Sequence, residues 1–396
     1  MNMIKQCIEI TEKIYPEVLK IRRHLHSHPE LSEQEIETSK FISQILNSLS
    51  IENEHTSNSG ITATLYGSHP QNKNLTIAIR ADMDALPIEE KTGLPFASNF
   101  PGKMHACGHD MHTAILLGTA MLLSKIKHEL KGNIRFIFEP AEETVGGAKI
   151  MIEEGALKSP DVAAVIGLHV QPELPCGSIG FVNGTMCAAS CEFTLIVKGT
   201  GCHGAHPDQG SDPILAAASV ICALQSIISR NTPPTDPSVI TIGSIQGGKK
   251  GNIIPDKVIC TGIIRSLTED GRIFIKERLR SLSHLIACGM GCECDIEFKD
   301  SYPPLINDDV LLQTMTALSN QVFGKDKVHI SDIPSMGADD FAYFSREVPS
   351  LYFDIGVAHE NTSLNFPIHS EKFNPKEEAI KTGILAEALG VLKMLE

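Results

Sequence analysis

Three observations predict an alternating α/β protein into which a smaller α+β layer is inserted. Strand-like apolar runs near residues 75, 134 and 162 each end on acidic or imidazole side chains, and helix-like segments over 113–130 and 146–155 separate them. From about Cys187 the pattern becomes strand, helix, strand, strand, helix, strand, the order of a ferredoxin-like layer. The 396 residues also exceed what one hydrophobic core usually serves. The expected division is 1–186 with 300–396 as one discontinuous domain and 187–299 as the inserted one.

Ile4 to Arg23 carries apolar residues at helical spacing (Ile4, Ile8, Ile14, Val18, Leu19, Ile21), with Thr11 as the polar gap and Pro16 as a point of kinking or splitting. His24, His26 and His28 follow. No Cys or acidic residue stands at ligand spacing from them and Pro29 marks a turn, so they read as a loop before a second helix capped by Ser32 and Glu35. The run from Leu75 reaches Asp82 and Asp84, as a buried parallel strand does when its carboxyl end opens onto a site. The two aspartates share strand parity and would point to one side, although this segment alone fits a solvated loop holding both of them equally well.

Met104 to His112 is the chemically densest stretch, holding Cys107, three imidazoles (His105, His109, His112) and Asp110 before the apolar segment Thr113 to Leu123. Thiolate and imidazole at a loop-to-helix junction suit zinc-like ions, so the stretch reads as half of a metal centre. By itself it leaves open an ion-free His/Cys cluster and a Cys/His nucleophilic pair, although nothing beside it supplies an oxyanion hole. The strand-like Asn133 to Phe138 runs into Glu139, Glu142 and Glu143. Adjacent carboxylates repel, and at the end of a buried strand they call for a cation or a shared proton, one binding an ion while the other holds a water. A helix-start pair favoured by the macrodipole is the alternative. A third run, Val162 to Leu168, closes on His169.

In the inserted part, Cys191 to Lys198 alternates and is followed by a Gly-rich turn with His203 and His206, a helix Pro213 to Arg230 and a strand 238–245. Next come a strand Lys257 to Arg265, a helix near 269–290, a strand near 292–299 and a return linker Ser301 to Pro304. Cys292 and Cys294 have strand spacing without partner ligands and read as structural. The last segment resumes the first domain, with a strand Ser350 to Ile355 and then His369.

Formal charge is −14, which argues against binding a phosphate backbone. Met1 to Lys20 mixes charge into its apolar residues and lacks the core of a signal peptide, and no apolar run approaches the length of a bilayer-spanning helix. The 11 cysteines are scattered, several in apolar contexts (Cys222, Cys260, Cys288), and read as buried free thiols; a cytoplasmic location is expected.

The motifs RADMDALP (80–87), MHACGHDMH (104–112), PAEE (140–143), GLH (167–169), GAHP (204–207), NIIP (252–255) and HS (369–370) follow one another as in the aminoacylase and carboxypeptidase-type metallopeptidases. More narrowly, the chain resembles their amidohydrolase branch, which includes hippurate hydrolases, N-acyl-amino-acid amidohydrolases and auxin-conjugate hydrolases. The resemblance spans essentially the whole chain, and the Cys-Gly-His form of the second motif is its specific sign. It implies a mixed-sheet α/β/α dinuclear-metal catalytic domain with a ferredoxin-like lid and dimerisation domain inserted. It places two divalent ions (zinc, manganese, nickel or cobalt) on Cys107, His109, Glu143, His169 and His369. The general base falls on Glu142, a ligand-orienting carboxylate on Asp84, and an oxyanion-stabilising lid histidine on His203. Asn252 and Arg265 fall where relatives contact substrate. Asp339 stands where many relatives have Glu, and Asp82 where the wider family has a metal-binding His that Cys107 makes redundant. The implied activity is hydrolysis of an N-acyl amino acid, hippurate-like or N-acetylated, by a homodimer joined through the lid. An N-acetyl-diaminopimelate deacetylase or a dipeptidase or carboxypeptidase is the alternative; a metal-storage protein would need neither Glu142 nor His203.

Overall fold

The structure, a computed structural model, describes residues 3–57, 59–71 and 74–396. The chain forms two compact units, Met1–Gly184 with Ile306–Ile333 and Asp340–Glu396, and Thr185–Leu305 with Pro334–Asp339.

The first unit is built on an eight-stranded mixed sheet. In spatial order its strands are Glu52–His55, Ile61–Tyr66, Asn133–Glu139, Thr76–Asp82, Val162–Pro175, Ser350–Ala358, Ile179–Val182 and Val328–Ser331. The four at the centre run parallel. Thr76–Asp82 and Asn133–Glu139 are buried along their whole length, which is why both read as largely apolar runs rather than as alternation, each holding one arginine. Asp82 pairs in register with Glu139, and Asp354 with His169, so the carboxyl ends of the central strands deliver their polar residues to one edge.

Helices Met3–Ser27, His109–Lys125 and Ala379–Met394 pack on one another, and the last two also pack on the central strands. His109–Lys125 is buried on all sides from His109 to Leu123, and so lacks the one-sided stripe of a surface helix. Its close approach to the C-terminal helix needs a bare backbone, since a Cβ on Gly383 would fall 2.7 Å from Ile115 Cδ1.

Several local expectations are corrected. Pro16 neither splits nor ends the first helix, which continues through His24 and His26 to Ser27, and Thr11 Oγ1 satisfies itself on Cys7 O at 2.9 Å. The capping box at Ser32 and Glu35 does not form. Ser32 Oγ instead donates to Asp84 Oδ2 at 2.7 Å, and Glu35 Oε1 accepts from Ala141 N at 2.8 Å. His26 does have acidic partners, with Nδ1 2.8 Å from Asp110 Oδ2 and Nε2 3.2 Å from Glu90 Oε1, both remote in sequence.

The second unit carries a four-stranded antiparallel sheet in the order Ser238–Gly247, Lys257–Ser266, Ala189–Lys198 and Glu293–Asp300. Helices Pro213–Ser226 and Glu269–Gly289 pack on it and give the ferredoxin-like order. Asp212 caps the first helix by accepting from Ile214 N and Leu215 N, ahead of Pro213, and Thr268 caps the second through Gly271 N. Cys260 is buried as expected, whereas Cys222 and Cys288 are exposed on the outer faces of these helices. Among the described residues one helical stretch, Pro213–Asn231, is long and apolar enough to cross a bilayer, contrary to the reading that no run approaches that length. In this fold Ala216, Ala217, Val220 and Leu224 join the core of the unit.

Candidate metal centre

The loop before His109–Lys125 supplies Cys107 and His109, and the glycine between them is required twice over. Gly108 has φ +94°, and a Cβ there would meet Val170 Cγ2 at 2.5 Å. The turn after Asn133–Glu139 supplies Glu142 and Glu143 beyond Ala141, whose φ is +59° and whose N–H is held by Glu35. The pair therefore sits in a turn ahead of the short helix Gly147–Glu153 and not at a helix start. Val162–Pro175 supplies His169, and His369 comes from the C-terminal segment, its N–H on Ala106 O at 2.8 Å.

These residues converge. Cys107 Sγ lies 3.5 Å from His169 Nε2 and 3.3 Å from His369 Nε2. His369 Nε2 is 3.2 Å from Glu143 Oε1, which lies 4.0 Å from His109 Nε2. Among the overlapping groups whose residues each offer a ligand atom within 4.8 Å of the others are Cys107, His109 and His169; Cys107, Glu143 and His369; His109, Glu142 and Glu143; and Asp82, His109 and His112. Asp84 joins from behind, Oδ1 taking His109 Nδ1–H at 2.9 Å while Oδ2 accepts from Ser32 and from Glu143 N.

Tautomers follow from partners that only accept. Asp84 accepts the Nδ1–H of His109, and Val170 O accepts that of His169 at 2.8 Å, so in both rings Nε2 is the nitrogen left to face the cluster. That of His109 is buried without a hydrogen-bond partner. Burial pushes the Cys107 thiol well above its ordinary range, so a thiolate there needs a nearby cation. Burial opposes a charge on His109, but the Asp82, Cys107 and Asp84 side chains outweigh it and hold the ring's affinity for a proton well above the ordinary value. Burial raises the Asp84 carboxyl, and the His109 and Ser32 hydrogen bonds more than reverse it. An orphaned ring nitrogen beside a buried thiol and carboxylates is costly alone, and its sulfur, nitrogen and oxygen donors fit a zinc-like divalent ion.

The scaffold behind the cluster was not foreseen. Arg80 is 1 % exposed, with Nε on Glu139 at 2.7 Å, Nη1 on Asp82 at 2.7 Å and Nη2 on Asp340 at 2.8 Å. A cation inside an otherwise apolar buried run was the signal for it. Burial and the Glu139 carboxylate push the Asp340 carboxyl well above its ordinary range. Asp82 is also bound by His112, which lies three residues beyond His109 and so on the same helix face.

The remaining expected site residues belong to the second unit. His203 is exposed on Cys202–His203, which pairs with Ile253–Ile254, and its Nδ1 accepts from Ala205 N at 3.0 Å. Gly204 N donates to Asn252 O at 2.9 Å, so His203 and Asn252 lie beside one two-stranded antiparallel ladder. Arg265 is half-buried on Lys257–Ser266, opposite Ser190 and Val239. Asp339 is buried in the same unit.

A cluster of soft and hard donors at the strand ends of a mixed α/β sheet, with a spare carboxylate beside it, defines the class of metal-dependent hydrolases. The chain matches Peptidase family M20/M25/M40 over residues 78–389 and belongs to that family. It is similar to the N-acetyl-L-cysteine deacetylase of Bacillus subtilis (strain 168), 41% identical over 343 residues that cover 86% of this chain and 80% of the relative. It is also similar to the N-acetyldiaminopimelate deacetylase of Ligilactobacillus salivarius (strain UCC118), 38% identical over 372 residues, 93% and 95% of the two chains. A solved dinuclear metal binding peptidase of the M20 family from Bacillus subtilis superposes with a TM-score of 0.84 at 34% identity, covering 97% of this chain and 99% of that one.

Proposed function

We propose that this hydrolase cleaves the amide bond of an N-acyl amino acid, giving a carboxylic acid and a free amino acid. The supporting observation is Glu142, whose carboxylate lies within 4.8 Å of the ligand atoms of His109 and Glu143 although the cluster has donors without it. Two divalent ions on Cys107, His109, Glu143, His169 and His369 would supply an acidified water and polarise the amide carbonyl. Glu142 takes a proton from the attacking water at a carboxylate oxygen and returns it to the leaving amine. Asp84 holds His109 in the tautomer and orientation that keep Nε2 on the cluster. His203 stabilises the oxyanion, and Arg265 with Asn252 meets the free carboxylate of the substrate. The inserted domain is read as the surface through which a homodimer forms.

The deacetylase names of the two relatives favour a small acyl group over a benzoyl group. The second of them supports another reading, in which the substrate is N-acetyl-diaminopimelate. Turnover of acetyl-amino acids, acetyl-diaminopimelate, benzoyl-glycine and dipeptides by the purified, chelated and reconstituted protein separates these. The expected result is hydrolysis of acetyl-amino acids that EDTA abolishes and added ions restore, with Glu142→Gln lowering kcat by about 100-fold or more while keeping its metal. Near-normal rates in Glu142→Gln, or activity that survives chelation, would overturn the reading; the latter is what a Cys107 nucleophile predicts.

A further inference from the structure

His112, the third imidazole of the 104–112 stretch, has no part in the chemistry above, yet it is wedged between two ligand rings. Its centroid lies 4.7 Å from that of His169 and 5.4 Å from that of His109. The ring is fully buried and both nitrogens are engaged, Nδ1 2.6 Å from Asp82 Oδ1 and Nε2 3.0 Å from Val170 N. A backbone N–H can only donate, so Nε2 is bare and Nδ1 carries the proton given to Asp82. Asp82 Oδ2 is pinned by Arg80 and lies 3.7 Å from His109 Nε2. On the other side, Val170 gives its N–H to His112 and takes the Nδ1 proton of His169 on its carbonyl. A directed chain therefore runs from His169 through Val170 and His112 to Asp82, which faces His109.

We propose that His112 is a positioning residue for the metal centre: by bonding Asp82 and the Val170 backbone at once, it locks the ring planes of His169 and His109 relative to each other. A ring that only filled space would need neither bond. The proposal rests on the metal reading, because locking two imidazoles matters if both must meet ions.

The two bonds can be removed separately. In His112→Asn the side-chain amide can still donate to Asp82 from the Nδ1 position, in His112→Gln the carbonyl can still accept from Val170 N at the Nε2 position, and His112→Phe keeps a buried ring without either. The full-length metal-free protein is reloaded with Zn²⁺ or Co²⁺, affinity is read by competition with a chromophoric chelator, and the visible spectrum of the Co²⁺ form is recorded. Thermal melting of the metal-free variants checks folding. The expected result is a 10–100-fold loss of affinity for at least one ion in the Phe variant, a smaller loss in Asn and Gln, and a changed Co²⁺ spectrum. A folded Phe variant with wild-type affinity and spectrum would overturn the proposal. Should that variant not fold, wild-type affinity and spectrum in His112→Gln would do so. Wild type that binds no ion would instead sink the metal reading. Long-range ¹H–¹⁵N correlation of the metal-free wild type tests the chain itself: it should show His112 protonated at Nδ1, and a ring protonated at Nε2 would contradict the proposal whatever the ions do.

Discussion

Replacing Glu387 by Gln should stabilise the protein at alkaline pH and change little near pH 4.5. Glu387 lies without solvent exposure on Ala379–Met394, its Oε2 accepting from Thr119 Oγ1 at 2.6 Å on the helix that begins with His109, and its Oε1 without a hydrogen-bond partner. Burial pushes its carboxyl from 4.5 up to about 8, and the Thr119 hydroxyl offsets only part of this. The unfolded chain releases this proton near pH 4.5 and the folded chain holds it to about pH 8, so in that window the folded state binds more protons and stability falls as pH rises. The contribution is fully present below pH 4.5 and fully lost above about pH 8. That gap, at about 1.4 kcal/mol for each tenfold, amounts to roughly 5 kcal/mol. Relaxation and water entry around an ionised interior group reduce it to roughly 2–4 kcal/mol. Gln keeps an acceptor for Thr119 and does not titrate. Urea unfolding of the metal-free wild type and variant at pH 5 and pH 9 isolates the effect, because the other titrating groups are common to both chains. The wild type should lose roughly 2–4 kcal/mol more than Glu387→Gln between the two pH values. Parallel pH dependences would refute the reasoning.

Two further substitutions address how the ligands are presented. Gly108→Ala should cost about 1–2 kcal/mol for the left-handed backbone and displace Val170, lowering ion affinity more than tenfold by chelator competition while the far-ultraviolet spectrum is retained. Wild-type affinity would mean that the Cys107–His109 spacing tolerates another backbone. Glu35→Ala frees the Ala141 N–H that shapes the turn carrying Glu142, and should lower kcat about tenfold with little change in KM, whereas Glu35→Gln keeps an acceptor and most of the rate. Steady-state kinetics of the pair checks this, and equal rates in Ala and Gln would remove the role given to Glu35.

What the sequence made legible follows from which contacts are local. The central strands read correctly because burial on both faces leaves a largely apolar, non-alternating run, interrupted only by Arg80 or Arg135, that ends where the polar site begins, as at Asp82 and Glu139. Cys107, Gly108 and His109 were legible because ligands adjacent in the chain stay adjacent in the fold. Ser32 and Glu35 were misread because a capping box is a local alternative to partners that lie 52 and 106 residues away, Asp84 and Ala141. His26 looked partnerless for the same reason, its Asp110 lying 84 residues on. Cys222 was misplaced because an apolar helix does not declare which of its faces meets the sheet, and Cys288 because its apolar neighbours Leu285 and Ile286 hide that it lies off the buried Ile275, Leu279, Ser283 and Ala287 stripe. His112 was counted as an imidazole, but its bonds to Asp82 and Val170 required the strand ends and the helix to be brought together.

Elemental analysis of the active full-length protein, with activity measured on the same sample before and after exhaustive chelation, tests most directly whether Cys107, His109, Glu143, His169 and His369 hold the ions that the hydrolysis needs. The predicted result is two divalent ions per chain, with activity lost as they are removed and regained on adding zinc, manganese, nickel or cobalt salts. Undiminished activity in protein carrying only trace divalent metal would contradict it.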